Sequence, residues 1–96
     1  MTTAAKNKVR KHRVSFSLDA RHAQQVSLVG DFNAWDPGKH PMKRDADGLW
    51  EKTVILEPGT YEYKFHQDGQ WIADPCNDRQ HLNRFGTWNS IAVVAP

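Results

Sequence analysis

The sequence predicts an all-β fold, a small sandwich or barrel of about seven short strands, and three observations lead to it. Apolar residues recur at every second position within several short segments, turn signals built from Gly, Pro and Asp separate those segments at regular spacing, and no segment has helical periodicity. A chain of 96 residues is the size of one domain. It can bury a core without disulfides or metal but is too short for two domains.

Val14, Phe16 and Leu18 alternate with Ser15 and Ser17, as a half-buried strand requires. Asp19 to Gln24 is polar and turn-like, and Gln25 to Val29 reads as a second strand stopped by Gly30-Asp31. Asp36-Pro37-Gly38 and His40-Pro41 then impose a long irregular loop, since each proline fixes φ and lacks an N–H for a ladder. Met42 to Arg44 is a candidate short strand turning at Asp47-Gly48, with Leu49 to Leu56 as its partner. There Trp50, Val54 and Leu56 share one face and Glu51 and Thr53 the other, which assigns Trp50 to the core or its edge. Glu57-Pro58-Gly59 supplies the next turn. Tyr61 to Phe65 alternates strictly, a hairpin turn at Asp68-Gly69 leads into Trp71 to Ala73, and after a polar loop Ser90 to Val94 forms the last strand.

Composition narrows the function classes. Hydrophobic residues at 39% and charged residues at 25% are ordinary for a globular domain. Cys76 is the only cysteine, which excludes an intrachain disulfide and a CxxC pair and fits a reducing cytoplasm. No apolar run approaches the roughly 18 residues of a membrane span, and the basic N-terminus lacks the apolar segment of a signal peptide. The net charge of +2 hides a division. Five of the 13 basic residues, Lys6, Lys8, Arg10, Lys11 and Arg13, fall in the first thirteen positions with no acid, leaving 8 basic against 11 acidic groups, a net of −3, in the rest. We therefore expect a basic, solvated tail over 1–12 and a folded domain over 13–96 without a nucleic-acid-binding face. Should the tail bind nucleic acid or an anionic membrane, that binding would fall steeply with salt.

The Asp68-Gly69 hairpin sorts the aromatics. With these two as turn residues, Gln67 opposes Gln70, His66 opposes Trp71 and Phe65 opposes Ile72. Tyr61, Tyr63, Phe65 and Ile72 then form the core face, and Trp71 joins Glu62, Lys64 and His66 on the other. Trp71 there is either exposed or packed under a neighbouring loop, and Trp35, in a Gly/Asn/Pro loop, either caps the core or faces solvent. Catalysis has less support. The five histidines show no HxH or HxxxH spacing, no phosphate-binding glycine loop is present, and the eleven carboxylates are scattered singly through turns. We expect no catalytic residues, no metal and no cofactor.

Val29-Gly-Asp-Phe-Asn-Ala-Trp35, Asp47-Gly-Leu-Trp-Glu51, Pro58-Gly-Thr-Tyr-Glu-Tyr-Lys-Phe65, Asp68-Gly-Gln-Trp71 and Asp74-Pro75 form an ordered series of motifs. The series resembles the glycogen-binding domain of AMP-activated protein kinase β subunits and, more widely, the N-terminal early-set domains of isoamylases and glycogen branching enzymes. The resemblance runs from about Val14 to Val94. It implies an immunoglobulin-like, early-set antiparallel β-sandwich and a non-catalytic module for glycogen or a starch-like α-1,4-glucan.

By the same resemblance, Trp35, Lys64 and Trp71 match glucan contacts of the kinase-type domain, and the later loop Phe85-Gly-Thr-Trp-Asn89 adds Phe85, Thr87 and Asn89. Phe85 stands where the family has leucine, and Trp88, in place of a smaller aliphatic residue, either packs inward or extends the binding face. A glucose ring presents C–H faces to an indole and hydroxyls at its edge, so aromatic platforms and polar side chains suit it together. Two angled indoles fit a coiled α-glucan, whereas a flat β-1,4 chain would favour coplanar rings. The expected partners are glycogen, maltooligosaccharides and cyclodextrin, with a glycogen-metabolising enzyme as a candidate protein partner. The alternative is a structural or protein-interaction module of the same fold without sugar affinity.

Overall fold

Period-two alternation resolves into two antiparallel sheets packed face to face. The structure, a computed structural model, describes residues 10–96. Eight strands follow in order: β1 (His12–Asp19), β2 (Val26–Gly30), β3 (Lys43–Arg44), β4 (Leu49–Leu56), β5 (Gly59–Gln67), β6 (Gln70–Ile72), β7 (Gln80–Leu82) and β8 (Trp88–Val94). One sheet has the order β1-β4-β3, and the other has β2-β5-β8-β7 with β6 also paired to β5. Among the described residues the only helical segment is a 3-10 turn at Asp31–Asn33. No helix there is long and apolar enough to cross a membrane.

The inward positions make one core. Phe16, Leu18, Trp50, Val54 and Leu56 of the first sheet meet Val26, Leu28, Tyr63, Phe65 and Val94 of the second. Phe16 packs edge-on against Tyr63 at 4.8 Å between centroids, so the sheets touch through aromatic rings as well as aliphatic chains. Trp50 is buried as its parity requires, and its indole N–H donates to the Ala20 carbonyl oxygen at 2.8 Å. The Glu57-Pro58 turn carries the chain from one sheet to the other. Tyr61 Oη braces it by donating to the Glu57 carbonyl oxygen at 2.7 Å, as a tyrosine corner does in immunoglobulin-like sandwiches.

The Asp68-Gly69 hairpin has the expected register, with Phe65 opposite Ile72, His66 opposite Trp71 and Gln67 opposite Gln70. Asp68 (φ 48°) and Gly69 (φ 85°) both occupy the left-handed region, as a tight hairpin demands. The Asp68 carboxylate also accepts the backbone N–H groups of Gln24 and Gln25 at 3.0 and 2.8 Å, fixing the hairpin to the start of β2.

Several boundaries differ from expectation. β7 lies inside the expected polar loop: its residues Gln80, His81 and Leu82 are all exposed, so no apolar alternation announces it. The β3–β4 connection is a four-residue loop closed by Asp45 N–H to the Leu49 carbonyl oxygen, not a two-residue turn at Asp47-Gly48. Ile72 is only half-buried and stands outside the core cluster, because β6 ends beside it. Most of the expected basic tail lies outside the described residues.

The loop after β2 is held by one buried amide. Asn33 Oδ1 accepts the Gly30 N–H at 3.0 Å, and Asn33 Nδ2 donates to the Leu28 carbonyl oxygen at 2.9 Å and to His40 Nδ1 at 2.8 Å. Leu28 N–H donates to the His40 carbonyl oxygen and Met42 N–H to the Val26 carbonyl oxygen, so the returning segment covers the open edge of β2. Burial, with Lys52 and then Lys39 nearby, lowers the pKa of His40 below 6.5 and keeps the ring neutral, as an accepting Nδ1 requires.

Two outcomes follow. Trp50→Ala should lose about 3 to 5 kcal/mol in denaturant melts, because it opens a cavity and removes the bond to Ala20. For His40, the unfolded chain takes up a proton more readily than the native one. Its contribution to stability should therefore be complete above pH 6.5 and fall away as pH drops through the lowered native value. Melts across mildly acidic pH should show a shallower slope for His40→Gln; an unchanged slope would show that His40 is not the linked group.

Candidate functional site

The second sheet's outer face, the loop after β2 and the loop between β7 and β8 enclose an open cavity of about 730 Å³. All six residues expected to contact a ligand line it: Trp35, Lys64, Trp71, Phe85, Thr87 and Asn89. They come from four separate stretches of chain, and the sheet's pairing brings them together. Asp31, Glu62, Asn83 and Arg84 complete the lining.

Trp71 projects from β6 on the face opposite the core and is 49% exposed, which decides between the two orientations left open by its parity. The His66 ring lies 4.7 Å from it on the neighbouring strand. Trp35 is half-buried and reaches the same place by strained backbone. Ala34 and Trp35 both have left-handed φ values, 58° and 57°, each a departure costing roughly 1 to 2 kcal/mol that the Asn33 bonds must hold in place. Trp35 Nε1 donates to Asp31 Oδ1 at 3.0 Å, while Asp31 Oδ2 accepts the Glu62 N–H at 2.8 Å. Asp31 thus continues the ladder beyond the end of β2 and anchors the indole to β5. The result is a pair of indoles 6.5 Å apart with planes inclined at 56°.

Gly30 makes this approach possible. A Cβ there would lie 2.6 Å from the Glu62 carbonyl oxygen and 2.9 Å from the Tyr63 Cβ, so any side chain would push the loop off β5. Val29, opposite Lys64 in register, is fully buried although its parity points away from the core. The site is therefore underlain by a packed floor.

The polar half of the cavity is tightly organised. Lys64 is 7% exposed and donates from Nζ to Thr87 Oγ1 at 2.9 Å. Desolvation lowers its pKa, and among the described residues no carboxylate lies within ion-pair distance. An ammonium has three N–H donors and among the described residues only one is engaged, so two remain for an incoming oxygen. Asn89 Nδ2 donates to Glu62 Oε1 at 2.9 Å, and His81 approaches the same carboxylate at 3.3 Å. Phe85 is 78% exposed at the rim, with the Arg84 guanidinium 5.1 Å over its ring.

Trp88 does not line the cavity. It pairs with Leu82 across β7 and β8 with the parity of Ser90, on the opposite side of the sheet from Asn89, and both Trp88 and Leu82 are about half exposed. It neither joins the core nor extends the binding face.

The expectations from sequence did not include Asp31, Asn83 or Arg84, and placed Glu62 only on the outer face. Asp31 sits within the Gly-Asp-Phe-Asn motif and Asn83 two residues before Phe85, the spacing at which an Asn side chain closes a turn on its own backbone. That local signal was available. Among the described residues no group of three or more His, Cys, Asp or Glu side chains is placed to hold a metal ion.

Comparisons with known proteins agree with this architecture. The sequence model of carbohydrate-binding module 48 (isoamylase N-terminal domain) matches residues 3–77. The chain is 53% identical over 74 residues to the 1,4-alpha-glucan branching enzyme GlgB 2 of Xanthomonas campestris pv. campestris, covering 72% of this chain and 10% of that protein. It is 47% identical over 70 residues to the 1,4-alpha-glucan branching enzyme GlgB of Paraburkholderia xenovorans, 66% of this chain and 10% of that one. It thus spans about a tenth of the length of these curated relatives. Phe85, Thr87 and Asn89 lie beyond the matched residues 3–77, so their place in the site rests on the geometry. The two-sheet fold and the match over most of its length identify the chain as a member of carbohydrate-binding module family 48, the isoamylase N-terminal domain family.

Proposed function

We propose that this domain binds glycogen or a starch-like α-1,4-glucan at the cavity between Trp35 and Trp71. The observation that carries the proposal is the convergence of two angled indoles with a buried, incompletely bonded ammonium. The indoles offer apolar faces to the C–H surfaces of successive glucose units, and their inclination suits a chain that turns. Lys64, Thr87 and Asn89 offer hydrogen bonds to hydroxyls, and Phe85 extends the apolar rim. The role is adhesion, with any chemistry belonging to other parts of an enzyme such as the branching enzymes to which the chain is similar.

This contact set is of the kind found in the glycogen-binding domain of AMP-activated protein kinase β subunits. The domain is proposed to comprise 13–96, with 1–12 as a basic extension, and to act in the cytoplasm, where glycogen is stored. Nucleic acid and membrane are not expected ligands. An interaction module without sugar affinity is the reading that the exposed Leu82–Trp88 pair favours, since that pair offers apolar surface away from the cavity.

An open face with two platforms and a few polar contacts should gain roughly 4 to 6 kcal/mol net, giving dissociation constants of about millimolar to tens of micromolar for a short oligosaccharide. Retardation in an amylose or glycogen affinity gel tests the reading, and unchanged mobility would favour the interaction module. Trp71→Ala should abolish retardation while stability stays within about 1 kcal/mol of the parent, because the indole projects to solvent. Trp35→Ala should also lose binding, with some loss of stability from freeing Asp31. A folded Trp71→Ala protein that binds glycogen as the parent does would remove the α-glucan assignment.

A further inference from the structure

The β7–β8 loop is organised around a residue with no hydrogen-bonding capacity left for a ligand. Asn83 Oδ1 accepts the backbone N–H groups of Phe85 at 2.9 Å and Thr87 at 3.1 Å. Its Nδ2 donates one hydrogen to Thr87 Oγ1 at 2.7 Å and the other to Asn89 Oδ1 at 3.0 Å. An amide side chain has two donor hydrogens and two acceptor lone pairs, and here all four are engaged within the protein. The Asn83 backbone adds a fifth tie, from its N–H to the Thr87 carbonyl oxygen at 2.8 Å.

These bonds fix the polarity of what the site offers. Thr87 Oγ1 accepts from both Asn83 Nδ2 and Lys64 Nζ, so both its lone pairs are taken and its O–H remains to donate. Asn89 Oδ1 has one lone pair taken by Asn83 and one left, and Asn89 Nδ2 gives one hydrogen to Glu62, leaving one N–H. Lys64 retains two. Lys64 and Thr87 thus offer the cavity donors alone, suited to the lone pairs of sugar hydroxyl oxygens, while Asn89 offers one N–H and one lone pair. The other acceptors at the site are the carboxylates of Glu62 and Asp31.

We propose that Asn83 is a positioning residue of the α-glucan site: making no hydrogen bond to the ligand itself, it holds Thr87 with its hydroxyl hydrogen, and Asn89 with its remaining N–H, available to the sugar. This rests on the α-glucan reading and adds to it a residue and a direction for the hydrogen bonds. Asn83→Asp is the informative substitution. A carboxylate keeps an oxygen for the Phe85 and Thr87 N–H groups, so the turn is retained, but it donates nothing. The Thr87 hydroxyl would then turn its hydrogen toward residue 83 and away from the sugar, while Asn89, held by its amide's bond to Glu62, would have its Oδ1 set against a carboxylate oxygen.

The test is β-cyclodextrin titration of the parent, Asn83→Asp, Thr87→Val and the double variant. Asn83→Asp should fold, melt modestly below the parent because the bond to Asn89 is lost, and raise Kd about tenfold, the scale of one or two lost hydrogen bonds. Because Asn83 acts partly through the Thr87 hydroxyl, the double variant should lose less than the product of the two single losses. Parent-like binding by Asn83→Asp, or losses that multiply, would overturn the inference. The unmodified protein gives a second measure that does not depend on the variants folding. On adding β-cyclodextrin, the side-chain amide proton signals of Asn89 should shift more than those of Asn83; the reverse order would make Asn83 a direct contact. A parent that binds no β-cyclodextrin would overturn the α-glucan reading itself, and this inference with it.

Discussion

Alternation along β5 is the constraint on which the rest of the structure depends. Tyr61, Tyr63 and Phe65 point into the sandwich, while Glu62, Lys64 and His66 between them point out. β5 pairs with β2 along one edge and with β8 and then β6 along the other, so it lies at the centre of its sheet. A slip of one residue would exchange Lys64 with Phe65 and destroy core and site together. The stability of the fold and the composition of the cavity are set by the same register. The Asp68 carboxylate, bonded to the start of β2, helps to hold that register at its hairpin end.

Above this rigid floor the two halves of the cavity are assembled on different principles. The aromatic half depends on backbone geometry: Gly30 permits close approach, Asn33 gathers the turn, and two left-handed residues aim Trp35 back toward Trp71. The polar half depends on a chain of side-chain bonds running from Lys64 through Thr87, Asn83 and Asn89 to Glu62. Neither half needs to reorganise much to receive a ligand. Side-chain ordering is a main cost of weak polar recognition, and here much of it is met during folding.

The fold and part of the site were legible in the sequence for identifiable reasons. Strands with clean alternation and strong turn residues appeared at or near their expected bounds, and β4 is found at Leu49–Leu56 as read. The hairpin register followed from Asp68-Gly69 alone, and it put Trp71 beside Lys64 and His66. β7 could not be read, since three exposed residues at a sheet edge carry no pattern of burial. Nor could the near-complete burial of Lys64, which depends on loops distant in sequence folding over the outer face. The position of Trp88 was likewise undetermined, because its parity is meaningful only once β7 is known to pair with β8.

The inclined pair of indoles has an optical consequence. Two identical chromophores 6.5 Å apart with planes at 56° are close enough for their transition dipoles to couple, and a chiral inclination gives such coupling a signed couplet in the ultraviolet circular dichroism spectrum. The angle between the two platforms is therefore accessible in dilute solution without any label. Its couplet would report whether the wedge between the rings keeps this angle when a ligand is added.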